Sequence, residues 1–180
     1  MRAAASALAL FVSGVAILAV MTSAATAQSI EDLKTGLKVT PPAGYRAELD
    51  TKSGFTARIV VGKQDDNETI CLVDFQGGLG PELARLTQDQ LNRMSRELDQ
   101  NAAMKGQFEA VKAVEHLEHA GVVGAILTGN FTTAPRHSSI LVIYYTTKGR
   151  STVSCFTRPE TFEARRADFV AVAKGITFPQ

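Results

Sequence analysis

The segment Ile140–Tyr145 constrains the fold of this chain most strongly, because it is apolar at both odd and even positions. Successive side chains of a β-strand point to opposite faces, so a strand with this pattern must be covered on both sides. Thr147–Arg150 has the composition of a turn, and Ser151–Phe156 follows as a second strand. We therefore predict a hairpin at the centre of a sheet that carries a layer on each face.

Alternating and β-branched segments predict further strands on either side of a first helix. These strands are Tyr45–Leu49, Phe55–Val61, Thr69–Phe75, Phe108–Leu117 and Val122–Phe131, with a polar loop over residues 63–68. The first helix begins at the capping box Thr87–Gln90 and runs to about Ala103, and the last runs from about Glu160 to Lys174. This order predicts an α+β fold, an α/β/α sandwich whose antiparallel sheet has about seven strands and which contains two main helices.

Five short segments carry more local expectations. Ile30–Leu33 is predicted to form one helical turn, and Leu37–Thr40 a short edge strand. The apolar residues of 108–117 do not keep a period of two, which predicts a β-bulge there. Thr157–Glu160 has the form of a second capping box, and Gly175 stands where a left-handed residue commonly ends a helix.

The N-terminal segment has the form of an export signal. Arg2 gives it a positive start, Ala3–Met21 contains no charge, and Ala25–Ala27 is an A-x-A cleavage signature. We therefore expect residues 1–27 to be a signal peptide cleaved after Ala27, and residues 28–180 to form a single α+β domain. The alternative is an uncleaved anchor, since the uncharged stretch approaches the length of a bilayer span. No cysteine stands near residue 27, which excludes a lipoprotein anchor.

Cys71 and Cys155 are the only cysteines of the chain, and both fall in predicted strands. In an oxidising compartment an even number of cysteines favours a disulfide. The export signal therefore predicts a Cys71–Cys155 bond, and places the protein in the bacterial periplasm or outside the cell. The alternative is a pair of free cysteines that act as small core residues.

The charge balance limits the classes of partner. The chain has 19 basic and 18 acidic residues, and removal of Arg2 with the leader balances them. A neutral domain has no overall field to attract nucleic acid or an anionic membrane. We expect no nucleic-acid partner, and no stable membrane anchor once the leader is cleaved.

The order of elements resembles that of the PsbP-like group. The resemblance rests on an exported start, on Pro41–Gly44 before a first meander, on a central helix and a second meander, and on a last helix that ends in Gly175–Phe178. It covers Val39 to Phe178. It implies an α/β/α sandwich that serves as a non-enzymatic accessory or binding module, as in bacterial periplasmic proteins and extrinsic photosystem subunits. No functional residue of the group is carried over to this chain.

The strongest candidate for metal binding is the pair His116 and His119, with Glu118 between them and His137 as a third ligand. Imidazole and carboxylate groups suit zinc or copper. Residues three apart share a face on a helix but not on a regular strand, and this segment is predicted to be a strand that enters a turn. A solvated strand end is therefore the favoured interpretation, and no metal, cofactor or catalytic residue is assigned.

Three other segments resemble functional motifs only in composition. Asp65–Glu68 offers oxygen ligands for calcium but lacks the spacing of an EF-hand, so we interpret it as a polar hairpin tip. Gly77–Gly80 follows a strand without a Lys-Ser/Thr after it, which favours a connector over a phosphate-binding loop. Ser138 and Ser139 stand beside His137 but lack a nucleophile elbow.

These observations favour an exported accessory or binding protein that has a protein partner in the bacterial cell envelope. Two alternatives stay open at this point. One is a periplasmic metal-binding protein that uses His116 and His119, and the other is a hydrolase whose catalytic residues are scattered along the chain. The sequence favours a protein without catalytic activity but does not exclude an enzyme.

Overall fold

The structure, a computed structural model, describes residues 28–97 and 106–180. The predicted leader with its cleavage site at Ala27, and residues 98–103 at the end of the first predicted helix, lie outside the described residues. None of the helices within the described ranges combines the length and hydrophobicity that a bilayer span requires.

The described residues form ten strands and two α-helices. In chain order they are β1 (Ile30–Asp32), β2 (Leu37–Val39), β3 (Tyr45–Leu49), β4 (Ala57–Lys63), β5 (Asp66–Gly77), α1 (Gln88–Glu97), β6 (Phe108–His119), β7 (Val122–Phe131), β8 (Ser138–Thr146), β9 (Gly149–Thr157), α2 (Phe162–Lys174) and β10 (Ile176–Thr177). Short 3-10 helices occupy Leu83–Arg85 and Pro159–Thr161. The predicted α+β fold with two main helices is confirmed.

The main sheet has seven antiparallel strands in the order β3-β4-β5-β9-β8-β7-β6. Strands β8 and β9 form the predicted hairpin, and β8 lies inside the sheet with neighbours on both sides. The predicted bulge is present in β6, whose register against β7 shifts between Phe108 and Ala110 and again between Val111 and Ala113. A second, three-stranded sheet joins β1, β2 and β10.

The two faces of β8 belong to different hydrophobic clusters, as its doubly apolar pattern predicts. Even-numbered residues pack with the last helix in a cluster that includes Ile140, Val142, Tyr144, Phe162, Phe169 and Val172. Odd-numbered residues join a separate cluster with β6 and β7, which includes Leu141, Ile143, Phe108, Leu127 and Phe131. Burial on both faces removes most of the strand from water, with Tyr145 only partly buried, and each fully buried apolar side chain contributes about 1.5–3 kcal/mol of transfer free energy.

Ion pairs on β6 show that the two helices lie on opposite sides of the sheet. Glu115 is paired with Arg166 of α2, and Glu118 is paired with Arg96 of α1 across 3.5 Å. Residues three apart on a regular strand point to opposite faces. Helix α1 also contacts β7 and β8, while α2 contacts β8 and β9. The fold is therefore an α/β/α sandwich.

The disulfide connects the two halves of the main sheet. Cys71 of β5 and Cys155 of β9 are direct partners across neighbouring strands, and their sulfur atoms are bonded. Their Cα atoms lie 4.0 Å apart, and neither residue is exposed to solvent. The bond therefore joins the first meander, β3–β5, to the second, β6–β9, in the middle of the core.

Several local predictions are wrong. Strand β2, predicted over Leu37–Thr40 as an edge strand, is the middle strand of its sheet, because it pairs with β1 on one side and with β10 on the other. Ile30–Asp32 is strand β1 and not a helical turn, because it pairs with β2 and Ile30 packs against the main core. The predicted loop over residues 63–68 is only a tight turn, since β4 continues to Lys63 and β5 begins at Asp66. Pairing with the next strand along the chain outweighs local preference at Ile30–Asp32 and at residues 63–68.

The predictions for the two ends of the last helix are wrong as well. Thr157 does not cap it, because its hydroxyl bonds to the hydroxyls of Thr69 and Thr161 and the helix begins only at Phe162. Gly175 has a φ of −80°, so the left-handed stop is absent. A Cβ on Gly175 would lie 2.2 Å from the carbonyl oxygen of Thr40. Glycine is required there by close approach of two backbones rather than by its conformation.

The first capping box is confirmed. The amide of Thr87 donates to Oε1 of Gln90 at 2.8 Å, and the amide of Gln90 reaches the hydroxyl of Thr87 at 3.4 Å. Helix α1 follows directly and buries Leu91 completely.

Candidate interaction surface

The structure separates His116 from His119. His116 and His119 both lie on β6, but three residues apart on a strand, so that they face opposite sides of the sheet. Nε2 of His119 is hydrogen-bonded to the carbonyl oxygen of Ile176 at 2.7 Å, which fixes this ring to the C-terminal strand. Within residues 28–97 and 106–180, no three histidine, cysteine, aspartate or glutamate side chains are grouped to hold a metal ion. The metal-binding alternative is therefore not favoured.

The acidic segment Asp65–Glu68 forms the tip of the β4–β5 hairpin. Asp66 accepts hydrogen bonds from the amide of Glu68 at 3.0 Å and from the hydroxyl of Thr69 at 2.7 Å. Glu68 is paired with Arg158 in the connection between β9 and α2. Asp66 and Glu68 are thus engaged within the protein, as expected for a polar hairpin tip rather than a calcium loop.

The serines and the glycine-rich segment are also structural. Ser138 and Ser139 are both buried in β8, and the Ser139 hydroxyl donates to the carbonyl oxygen of Gly129 at 2.7 Å. Gly77 ends β5, and the amide of Gly78 donates to the carbonyl oxygen of Lys148 at 2.9 Å. This segment is a connector that turns away from the sheet.

An open groove of about 710 Å³ lies between the β4–β5 hairpin tip and the start of α2, and we call it the charged groove. Its charged lining residues are Lys63, Asp65, Asp66, Glu68, Arg158 and Arg165. The groove exists because β5 and β9 are neighbours, so the turn before β5 and the connection after β9 meet at one end of the sheet. Both signs of charge are equally represented along its walls.

A chain of hydrogen-bonded hydroxyl groups connects the two sides of the charged groove. Thr69 of β5 bonds to Asp66 at 2.7 Å and to Thr157 of β9 at 2.9 Å, and Thr157 bonds to Thr161 at 2.8 Å. The Thr69 hydrogen bond holds the pKa of the Asp66 carboxyl below its ordinary value. This network fixes the hairpin tip against the start of α2, so the groove is preorganised.

One wall of the groove is held by a contact between β3 and α2. The Tyr45 hydroxyl donates to Oδ2 of Asp168 at 2.9 Å, and Arg165 lies 3.9 Å from the same carboxylate. Nε of Arg165 is buried and has no partner among the described residues. Burial, and then the hydrogen bond to Asp168, raise the pKa of Tyr45 well above its ordinary value.

Replacing Tyr45 with phenylalanine should lower the free energy of unfolding by about 1 kcal/mol at neutral pH, through loss of the hydrogen bond to Asp168. Because the folded state raises the pKa of Tyr45, its contribution is complete below about pH 10, the pKa of an unfolded tyrosine, and declines as the pH rises further. The variant should therefore lose less stability than the unmodified protein as the pH rises above about 10. Urea unfolding across this range measures the difference, and equal alkaline losses would argue against it.

Sequence reasoning missed the charged groove as a unit. Its residues come from two segments of the chain, 63–68 and 157–165, that no local pattern connects. The one usable signal was the pairing of β5 with β9, which the predicted bond between Cys71 and Cys155 implied. That register carries Thr69 and Thr157 to the same end of the sheet, where their hydroxyls are hydrogen-bonded to each other.

Comparison with known proteins identifies the fold. No protein-family model matches the sequence, and no curated protein matches it. Among solved structures, the chain is similar to the solution structure of cyanobacterial PsbP (CyanoP) from Synechocystis sp. PCC 6803, with a TM-score of 0.54 and 14% sequence identity. The similarity covers 84% of this chain and 91% of that chain.

The chain therefore has the α/β/α sandwich fold of the PsbP-like type, and the resemblance drawn from the order of its elements is confirmed. At this level of sequence identity, the likeness defines the fold alone.

Proposed function

We propose that this protein is an exported, non-catalytic accessory protein of the bacterial cell envelope, and that it binds a protein partner through the charged groove. The observation that carries the proposal is the fold shared with cyanobacterial PsbP over most of both chains. An accessory role is what the resemblance to the PsbP-like group implies.

Two features of the chain support export. The leader carries the signature of a signal peptide with its cleavage site at Ala27. The Cys71–Cys155 disulfide at the centre of the core is typical of proteins that mature in an oxidising compartment. Both features are consistent with a periplasmic or secreted protein.

The charged groove supports binding to a protein rather than to a small apolar ligand. Pockets for small molecules are concave and mostly apolar, with a few convergent polar groups. The groove is open, and charged and hydroxyl side chains predominate among the residues that line it. Fixed charges of both signs at one surface favour a partner with the complementary arrangement, which gives specificity and fast association.

Replacing Arg158 with glutamate tests the groove. Arg158 is exposed and pairs with Glu68, so the substitution reverses one charge of the groove and leaves the core intact. We expect at least about a fivefold loss of the captured partner when mature protein is used as bait in envelope extract and bound proteins are quantified by mass spectrometry.

The matched control is Arg93→Glu on the exposed side of α1, which makes the same change of net charge far from the groove. Capture by this variant should stay within about twofold of the unmodified protein, because isolated surface charges contribute little. Equal losses for the two variants would refute the groove as the binding surface. The absence of any specifically retained protein would contradict the proposed function as a whole.

A further inference from the structure

The outer edge of β6 is a second surface that the proposed function does not use. Strand β6 ends the seven-stranded sheet, and β7 is its only pairing partner within residues 28–97 and 106–180. It has 12 residues, whereas β3 at the opposite end has 5. A long edge strand presents unpaired backbone amides and carbonyls, which are a template for another strand.

The turn after β6 shows which backbone groups point outward. Ala120 and Gly121 both have positive φ values, 50° and 75°, as in a two-residue type I′ hairpin turn. The flanking pair His119 and Val122 then exchanges both ladder hydrogen bonds. Since such pairs alternate with non-bonded pairs, the amides and carbonyls of Val114, His116 and Glu118 point away from β7. The register is regular from Ala113 to His119, so this alternation is unbroken.

The available length of edge is set by the bulges. Both register shifts of β6 lie before Ala113, and bulges disturb the spacing that a pairing strand needs. The usable edge is therefore the regular stretch from Ala113 to His119. Val114 lies within it and exposes 38% of its surface, so the stretch also offers an apolar contact.

The charges of β6 select the partner. The strand carries three glutamates, at positions 109, 115 and 118, and a single lysine at 112. The side chains of Glu115 and Glu118 remain 48% and 68% exposed although each is paired with an arginine, so their oxygens are accessible. Opposite charges directly across a strand pair are stabilising and like charges are destabilising. An added strand should therefore carry lysine or arginine at these positions.

A second copy of this chain fits the same edge poorly. Symmetric antiparallel pairing centred on Glu115 or His116 would place Glu115 opposite or diagonal to its own copy. A contact limited to a few edge residues also buries much less than the roughly 1,000 Å² of a stable dimer. A basic segment of another protein avoids the like-charge contact, and the main-chain hydrogen bonds of an added strand contribute to its affinity.

We infer that the edge of β6 from Ala113 to His119 binds an extended, positively charged segment of a partner protein by adding it to the sheet as an eighth strand. The inference rests on the proposed function for the existence of a partner, and it specifies the form in which part of that partner is recognised. It involves a surface separate from the charged groove.

The test uses an extended valine-rich peptide of about eight residues with lysines three positions apart, so that one can face Glu115 and the other Glu118, matched by a peptide with glutamate at the same two positions. Both are titrated into isotopically labelled mature protein, and amide shifts and hydrogen exchange are followed by NMR. We expect the lysine peptide to protect the amides of Val114, His116 and Glu118, and to bind at least about tenfold more tightly than the glutamate peptide.

Two variants at His116 separate backbone pairing from side-chain recognition. His116→Pro removes an outward amide without removing a hydrogen bond to β7, as proline is tolerated on edge strands. His116→Ala removes the imidazole and keeps the amide. Binding of the lysine peptide should fall at least about tenfold in His116→Pro and change less than about twofold in His116→Ala. The melting temperature of each variant confirms that it is folded.

Four results would overturn the inference. The first three are that the outward amides gain no protection, that the two peptides bind equally, and that the two variants have equal effects. The fourth is protection that depends on protein concentration in the absence of peptide, which would indicate that a second copy occupies the edge. A failure here leaves the capture of a partner through the charged groove unaffected, so the two proposals are tested separately.

Discussion

Replacing Cys71 and Cys155 together with alanine should lower the free energy of unfolding by about 2–5 kcal/mol. The bond closes a loop with a sequence separation of 84, and in the chain-entropy model a loop of this size restricts the unfolded chain strongly. It also joins β5 to β9, the contact through which the two meanders meet. Without it, that long-range pairing must be formed against the full entropy of the connecting chain.

Urea unfolding monitored by circular dichroism measures this effect. Strong reductant should lower the urea midpoint of the unmodified protein, because the disulfide can be reduced when the chain unfolds. The urea midpoint of the double alanine variant should be the same with and without reductant. Because both cysteines are fully buried, thiol reagents should label neither in the native protein, and both only after denaturation and reduction. Equal stabilities of variant and unmodified protein would contradict the assigned role of the bond.

Replacing Phe169 with alanine should lower the free energy of unfolding by about 3–5 kcal/mol. Phe169 lies on α2, is completely buried, and belongs to the same cluster as Ile140, Val142 and Tyr144 of β8. Its removal would leave a cavity between the helix and the central strand that the sheet cannot close by relaxation.

Leu33→Ala is the matched control, because Leu33 is 88% exposed and does not belong to the core. Its substitution should change stability by less than about 0.5 kcal/mol. Calorimetry of the two variants separates the effects. A loss below about 1 kcal/mol for Phe169→Ala would mean that α2 does not cover this face of the sheet.

The architecture could be predicted because its strongest signal is a short pattern. Six consecutive apolar residues at Ile140–Tyr145 require cover on both faces, and the two predicted helices can supply it. The cysteine pairing could be predicted as well, since only one intramolecular bond can form from Cys71 and Cys155.

The errors arose where distant segments determine local structure. Strand β1 forms because it pairs with β2 and packs against the core, and no property of Ile30–Asp32 favours a strand by itself. Gly175 is required by the carbonyl of Thr40, a contact that no helix-end pattern encodes. The charged groove and the free edge of β6 likewise depend on strand order, which only the assembled sheet determines.

The central claim is that the protein is exported, processed and closed by its disulfide, and the intact mass of the native protein tests it most directly. Protein recovered from the producing bacterium without reductant should have the mass of a chain that begins at Gln28 and lacks the two thiol hydrogens of Cys71 and Cys155. The mass of the full chain, with both thiols free to react with an alkylating reagent after denaturation, would contradict the account.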